Sequence, residues 1–550
     1  MEKKRLKLPV GIQTFEKLRK RGNVYVDKTK LLVDLIDTGE IYFLARPRRF
    51  GKTLTVSTFE ALFLGEKELF QGLYAEEYLS RPDFQPSPVI RLDMSNAITN
   101  RGVVEMENSI INLILNIADE LEVAIPESNL PGIMFERLIK QTAKKNNQKV
   151  VILVDEYDKP YTDFVNDSAM AEKVRETLRN FYIRIKANDA YIRFVFITGI
   201  SKFARFGVFS TLNTLFDISM SPDYAEICGY TEEEIIRYFP YYLDETARYM
   251  QITTPELIAK MRYYYNGFTF DRYARTRLYN PFSTLSFLKD KDFANYWMET
   301  GSSKLIADYM REHHLTVSQF SYYPVSKDFV RSPGDMDTTP PHGFLFQGGY
   351  LTLRPGDSDD LSLDYPNTEV LNAMSEMVTQ NMLRHKDESY SHCRADLLGG
   401  LAKQNSEMVI GAFNRLLASV PYDDFIAAAK QSITNNNYDM NPQEWLYRAT
   451  IYSFLQGCGV VVASEMHSNK GRADLVVSHK GITWVIELKV AYEDQDAAQK
   501  AKEALQQIMD NNYAVPFPGA ISLGLGIDNT ARQITASQIM SVHLPVHSDL

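Results

Sequence analysis

Two groups of residues in this chain have the types and spacing to do chemistry. The first ends in Gly51-Lys52-Thr53, which closes a basic loop running on from the apolar stretch Ile41 to Ala45. An apolar strand, a tight loop and a helix start form the setting of a phosphate-binding loop. Backbone N–H groups there face a phosphate, the lysine reaches the β- and γ-phosphates, and the hydroxyl holds Mg2+. Arg46 stands where the usual pattern has its first glycine. Arg46 and Arg49, with Gly51, Lys52 and Thr53, are the loop residues expected to contact the nucleotide. Taken alone, the loop also fits a basic surface turn.

Downstream, Val150 to Val154 is a run of apolar, mostly β-branched residues ending in Asp155 and Glu156. Such a run reads as a strand buried on both faces of a parallel sheet, and its C-terminal end is where open α/β sheets bind ligands. Asp155 is expected to complete the Mg2+ shell beside Thr53, and Glu156 to polarise an attacking water; a solvated strand end is the plain alternative. The next strand, Ile192 to Ile197, gives way to Thr198-Gly199-Ile200-Ser201. Thr198 or Ser201 is placed there to sense the γ-phosphate, with ordinary turn chemistry as the alternative. Arg205 could act as an arginine finger and is left unassigned.

The second group lies near the C-terminal end. Asp474 stands in one candidate strand, and Glu487 and Lys489 in the next. With a side-chain period of two, Glu487 and Lys489 point the same way, and a carboxylate and an amine on one face of an apolar strand are costly without a partner or a metal. Asp474 across the pair supplies a second oxygen donor, and two such carboxylates suit a hard cation such as Mg2+. The cation would acidify a water and offset charge on a phosphodiester, with Lys489 orienting that water. A buried Glu487–Lys489 salt bridge, with Asp474 in a turn, is the alternative. The amphipathic stretch from Gln495 to Asn512 places Gln507 near this site, or on a solvated helix face.

These residues need elements to position them. Strands alternating with helices up to about residue 222 specify a parallel sheet covered on both faces. A helical, aromatic-rich region over 223–365 follows, whose aromatics read as core ahead of base-stacking surface. Next come a helical linker over 366–440 and a second α/β domain over 441–550. A chain of 550 residues has room for about three domains. Its hydrophobic share of 45% marks it as globular. Net charge is −10, so any nucleic-acid contact must use a local basic groove. Three separated cysteines outside any CxxC pair indicate neither disulfides nor a zinc ribbon and fit a reducing cytoplasm. No signal peptide or membrane-length apolar window stands out. The two adjacent histidines at 313 and 314 cannot face one ion from a helix.

Several blocks together resemble the bacterial AAA-ATPase-like family. They are Leu8-Pro-Val-Gly-Ile12, Tyr25-Val-Asp-Lys-Thr29, Arg46-Pro-Arg-Arg-Phe-Gly-Lys-Thr53, Val154-Asp-Glu-Tyr-Asp-Lys-Pro160, Thr198-Gly-Ile-Ser201, Tyr279-Asn-Pro281, Gly349-Tyr-Leu-Thr352 and Pro366-Asn-Thr-Glu-Val370. The C-terminal region resembles the PD-(D/E)XK nuclease superfamily. The resemblance implies a P-loop NTPase sheet, a helical middle region and a restriction-endonuclease-like α/β domain. It carries over Lys52, Thr53, Asp155 and Glu156 as nucleotide-site positions, and Asp474, Glu487 and Lys489 as the nuclease triad. Glu444 and Gln507 match accessory helix positions. Ala473 stands at the motif's proline, and Arg46 is similar to the family's own variation.

The expected function is therefore an ATP-binding, ATP-hydrolysing protein coupled to a Mg2+-dependent nuclease acting on nucleic acid, DNA ahead of RNA, in the cytoplasm, with an oligomer or partner protein compatible. The competing reading is a nucleotide-gated scaffold whose nuclease-like domain binds nucleic acid or protein without cutting.

Overall fold

The computed structural model describes residues 5–97, 102–164, 167–200, 214–299, 317–320, 323–326, 329–330, 341–355, 360–382, 388–420, 422, 426, 430, 441–468 and 471–541. Ser201, Arg205 and the histidine pair at 313 and 314 lie outside them, as does the end of the 366–440 segment, residues 431–440. The chain forms two compact units. One comprises the described residues up to Trp297 and those from 323 to Thr368; the other comprises 298–299, 317–320 and those from Glu369 onward.

The first unit is built on a parallel sheet of β1 (Ile41–Ala45), β2 (Val89–Asp93), β3 (Val150–Asp155), β4 (Ile192–Gly199) and β5 (Phe216–Asp217), in the order β2-β3-β4-β1-β5. All six residues of β3 are buried, as a strand covered on both faces requires. One face packs Ile152, Val154, Val195 and Ile197 against Ile110, Phe135 and Leu178 of three helices, Val103–Glu120, Pro131–Asn146 and Ser168–Ala187. On the other face Phe59, from the helix Lys52–Leu64, meets Phe194 and Phe196 at ring centroids 5.3 and 4.7 Å away. β4 lies between β1 and β3, so the loop after β1 and the carboxylates after β3 flank the tip of β4 at the same edge of the sheet.

Much of the aromatic region after β5 is core, while Tyr241, Tyr249, Tyr263 and Tyr273 are exposed. Phe50 of the loop meets Phe268 and Phe270 edge-on at 4.9 and 5.0 Å. Asn280 caps the helix Pro281–Asp290 by accepting from the Phe282 and Ser283 N–H groups. Phe15 and Tyr25 pack edge-on at 5.0 Å in a cluster with Leu62 and Phe70. A small antiparallel sheet, β6 (Tyr323–Val325), β7 (Thr352–Pro355) and β8 (Leu361–Asp364), completes the unit.

The second unit carries a mixed sheet of β9 (Val461–Ser468), β10 (Gly471–His479), β11 (Ile482–Ala491), β12 (Ile521–Asp528) and β13 (Gln533–Ser541), in the order β13-β12-β11-β10-β9. β10 and β11 form an antiparallel hairpin, and β11 and β12 run parallel through the crossover helix Ala497–Asp510. The segment read from sequence as a linker belongs to this unit's core. Leu397, Leu401, Phe413 and Leu416 pack with Ile451, Phe454, Trp484, Ile486 and Leu523, and the Trp484 indole donates to the Leu401 carbonyl at 3.3 Å. No helix among the described residues is long and apolar enough to cross a membrane.

Candidate functional site

Two left-handed residues turn the loop after β1, Arg49 at φ 65° and Gly51 at φ 98°. Gly51 then caps the helix Lys52–Leu64, its carbonyl accepting from the Thr55 N–H at 2.9 Å. A side chain at Gly51 would strain the backbone even though space is open around it. The Lys52 amine is buried and donates to the carbonyls of Arg46 and Pro47 at 2.9 and 3.0 Å. Burial lowers its pKa, against the raising influence of Glu156, Asp155 and Asp158.

The structure corrects the expectation for Arg46. Its guanidinium is 1% exposed and donates to the carbonyls of Ala45, Ser219 and Tyr224 at 3.0, 2.7 and 3.1 Å, over the ring of Phe270. Its two Nη groups are spent on carbonyls that the chain after β4 contributes beside that of Ala45, which makes a bracing contact of this side chain. Burial lowers this guanidinium to about 10, and it braces the start of the loop where the usual pattern has glycine. Arg49 lies with its guanidinium 3.6 Å from the centroid of Phe282. Pro47 sits against Gly349, where a Cβ would come within 2.5 Å of Pro47 Cγ, and the Arg48 carbonyl accepts from the Trp297 indole at 3.3 Å. Both sides of the loop are thus held by the region that follows β5.

Across the tip of β4, Asp155 is 1% exposed and accepts the Thr198 hydroxyl at 2.5 Å. Glu156 follows at φ 51°, a left-handed backbone that costs a non-glycine residue about 1–2 kcal/mol. Burial raises its pKa, with Lys52 opposing and Asp155, Asp158 and Asp93 reinforcing. Sequence reasoning passed over the last two. Asp93 ends β2 in parallel register with Asp155, and its place at the tip of an apolar strand was the signal. Asp158 is 1% exposed and accepts the Ile200 N–H at 3.1 Å, tying the chain after β3 to the chain after β4.

In the second unit the predicted residues converge. Asp474 lies on β10 next to Leu475, where the pairing with β11 ends, and Glu487 and Lys489 lie on β11. Glu487 is 3% exposed; one oxygen accepts the Asp474 N–H at 3.1 Å and the other accepts the Gln507 amide from the crossover helix. Asp474 accepts the Leu488 N–H at 2.9 Å and Arg448 Nη1 at 3.3 Å. Burial, with the charge of Asp474 beside it, pushes Glu487 up to about 8. Burial likewise raises Asp474, against its hydrogen bond from Leu488 and the charges of Arg448 and Lys489. Glu444, on the helix Pro442–Gly457, is raised by burial and by Asp474 and countered by Lys489, Arg448 and Lys500. Arg448 was missed from sequence; its position one helical turn after Glu444 was the signal.

Two glycines let the crossover helix lie on the sheet. Gly524 and Gly526 pair in register with Glu487 and Lys489. A Cβ on either would fall 2.4 Å from the Ala501 carbonyl oxygen or 2.0 Å from that of Ala497. The helix seated there carries Gln507 to Glu487. Among the described residues no group of three or more His, Cys, Asp or Glu is disposed to hold a metal ion. The donor set at this site is the pair Asp474 and Glu487. Glu487 is buried, the Asp474 side chain nearly so, and their carboxylates lie together on neighbouring strands, offering oxygens of the kind a divalent cation takes.

A family model described as a predicted AAA-ATPase matches residues 9–209, and one for the PD-(D/E)XK nuclease superfamily matches 442–522. An uncharacterised protein from the region 5′ of vnfD in Azotobacter chroococcum mcd 1 is 32% identical over 522 residues, covering 93% of each chain. Among solved structures, ORC2 of Aeropyrum pernix in its ADPNP–ADP complexes matches at 12% identity and a TM-score of 0.24, over 66% of this chain and 92% of that one. Its ADP form matches at 12% and 0.26, over 68% and 95%. This chain belongs to the predicted AAA-ATPase family, matched over residues 9–209, and carries a PD-(D/E)XK nuclease superfamily domain, matched over 442–522, toward its C-terminal end.

Proposed function

We propose that the chain binds ATP at the loop Gly51-Lys52-Thr53 and that its second unit cuts nucleic-acid phosphodiesters with a divalent cation, Mg2+ being the expected ion and DNA the expected substrate ahead of RNA. At the nucleotide site, Lys52 would leave the carbonyls of Arg46 and Pro47 for the β- and γ-phosphates, and Thr53 and Asp155 would hold the cation. Glu156 would orient the attacking water, and Thr198 would keep Asp155 in place through its hydroxyl. At the nuclease-like site, Asp474 and Glu487 would hold the cation, which acidifies water and offsets charge on the phosphodiester. Lys489, on the face of β11 that carries Glu487, orients the water. Gln507 fixes one oxygen of Glu487, and Glu444 adds negative charge from the neighbouring helix.

The observation that carries the nuclease half is the gathering of Asp474, Glu487, Lys489, Glu444 and Gln507 in one largely buried place, where unfunctional carboxylates would be costly. Cleavage of DNA and RNA by the full chain with Mg2+, with and without ATP, tests it. Glu487→Ala and EDTA should each abolish cutting, and Lys52→Ala should weaken ATP binding about 100-fold, the order of a lost charge-assisted contact of about 2–3 kcal/mol. Cleavage that persists through both Glu487→Ala and EDTA would refute the nuclease half. A second reading, a nucleotide-gated scaffold that binds without cutting, draws on the ion pair that already engages Asp474; nucleic-acid binding without cleavage would select it.

A further inference from the structure

Each of the four oxygens of Asp474 and Glu487 already has a protein donor. The Asp474 N–H and the Gln507 amide serve Glu487, and the Leu488 N–H and Arg448 serve Asp474. Two of these donors are backbone groups fixed by the β10–β11 hairpin. The other two, Gln507 and Arg448, sit on side chains that can rotate, and of the four donors only Arg448 carries a full charge. A carboxylate oxygen has two lone pairs, so a neutral N–H and a cation can share it. Two cations on one oxygen repel each other. The Arg448 and Asp474 side chains are only 14% and 13% exposed, so water and salt screen that repulsion little. Arg448 also opposes the negative charge of Glu444, one helical turn away, and of Glu487.

We propose that Arg448 is a resident counter-cation of the nuclease-like site: it holds Asp474 Oδ1 while no divalent ion is bound and must leave that oxygen when the ion enters. This rests on Asp474 and Glu487 being metal ligands. Arginine and metal then compete for one oxygen, and the affinity of the site for the ion is set by how firmly Arg448 grips Asp474. A residue that merely shaped the site would act with the opposite sign, because losing it would loosen Asp474 and weaken metal binding.

The test is calorimetric titration of the nucleotide-free full chain with Mn2+, in wild type, Arg448→Met, Arg448→Lys and Glu487→Ala, with thermal melts in EDTA and in saturating Mn2+. Arg448→Met should bind Mn2+ about tenfold more tightly, the order of one partly buried ion pair. It should melt below wild type in EDTA and recover in Mn2+, which takes over the lost positive charge. Unchanged or weaker Mn2+ binding in a variant that still melts cooperatively would overturn the proposal and leave the metal site standing. Should Arg448→Met not fold, Arg448→Lys decides: its looser grip predicts tighter Mn2+ binding, and an unchanged affinity overturns the proposal. Absence of Mn2+ binding in wild type, or equal binding in Glu487→Ala, would overturn the metal site itself and this proposal with it.

Discussion

Glu487 and Lys52 are each disfavoured as ions by burial, in opposite senses, and the two sites respond to pH accordingly. The carboxyl of Glu487, ordinarily near 4.5, is pushed up to about 8 in the folded chain. Between those values the folded state holds a proton that the unfolded state has lost. The contribution of this group to stability therefore falls as pH rises through the window. In EDTA, the melting temperature of the second unit should drop as pH rises from about 5 to 8, and Glu487→Gln should flatten the drop. An unchanged slope in that variant would show that Glu487 does not hold the proton. Because a divalent ion must displace the same proton, Mn2+ affinity should climb over the same range. Lys52 is lowered by burial and sustained by the carboxylates beyond β3, and the nucleotide phosphate proposed to meet it would favour its charged form further.

The elements that carry these residues were legible where the pattern was strong and local. β1, its loop, the following helix, β3 and β4 were read from sequence because long apolar runs and a phosphate-loop pattern are short-range signals. β5 was missed because two residues, Phe216 and Asp217, have no period. β12 was passed over because Gly524 and Gly526 lower its strand propensity. Those glycines serve a contact invisible in one dimension, the close approach of the Ala497–Asp510 helix. Gly526→Ala should destabilise the unit by about 1–3 kcal/mol, the usual cost of overpacking, read as an earlier midpoint in urea; an unmoved midpoint would mean that the helix can lift at no cost. Arg46 and Arg448 were misjudged or overlooked because a single basic residue reads alike from sequence whether it meets phosphate, carbonyl or carboxylate.

On the scale of the whole chain, the sharing of one core by residues 390–417 and the last sheet means that the nuclease-like match at 442–522 is smaller than the folding unit that contains it. A fragment starting at 441 would expose the surfaces of Trp484, Ile451 and Phe454 that Leu401, Phe413 and Leu416 cover. A fragment from 369 to the C-terminus should melt more sharply by circular dichroism than one from 441; equal melts would mean that residues 390–417 do not complete the core. Glu156 sets a different limit on the molecule's durability. Its backbone conformation is one that glycine adopts freely, and its half-buried carboxyl is held against desolvation. Glu156→Gly would relax both burdens while deleting the group proposed to orient water, and that inert version should outlast the working protein under heat.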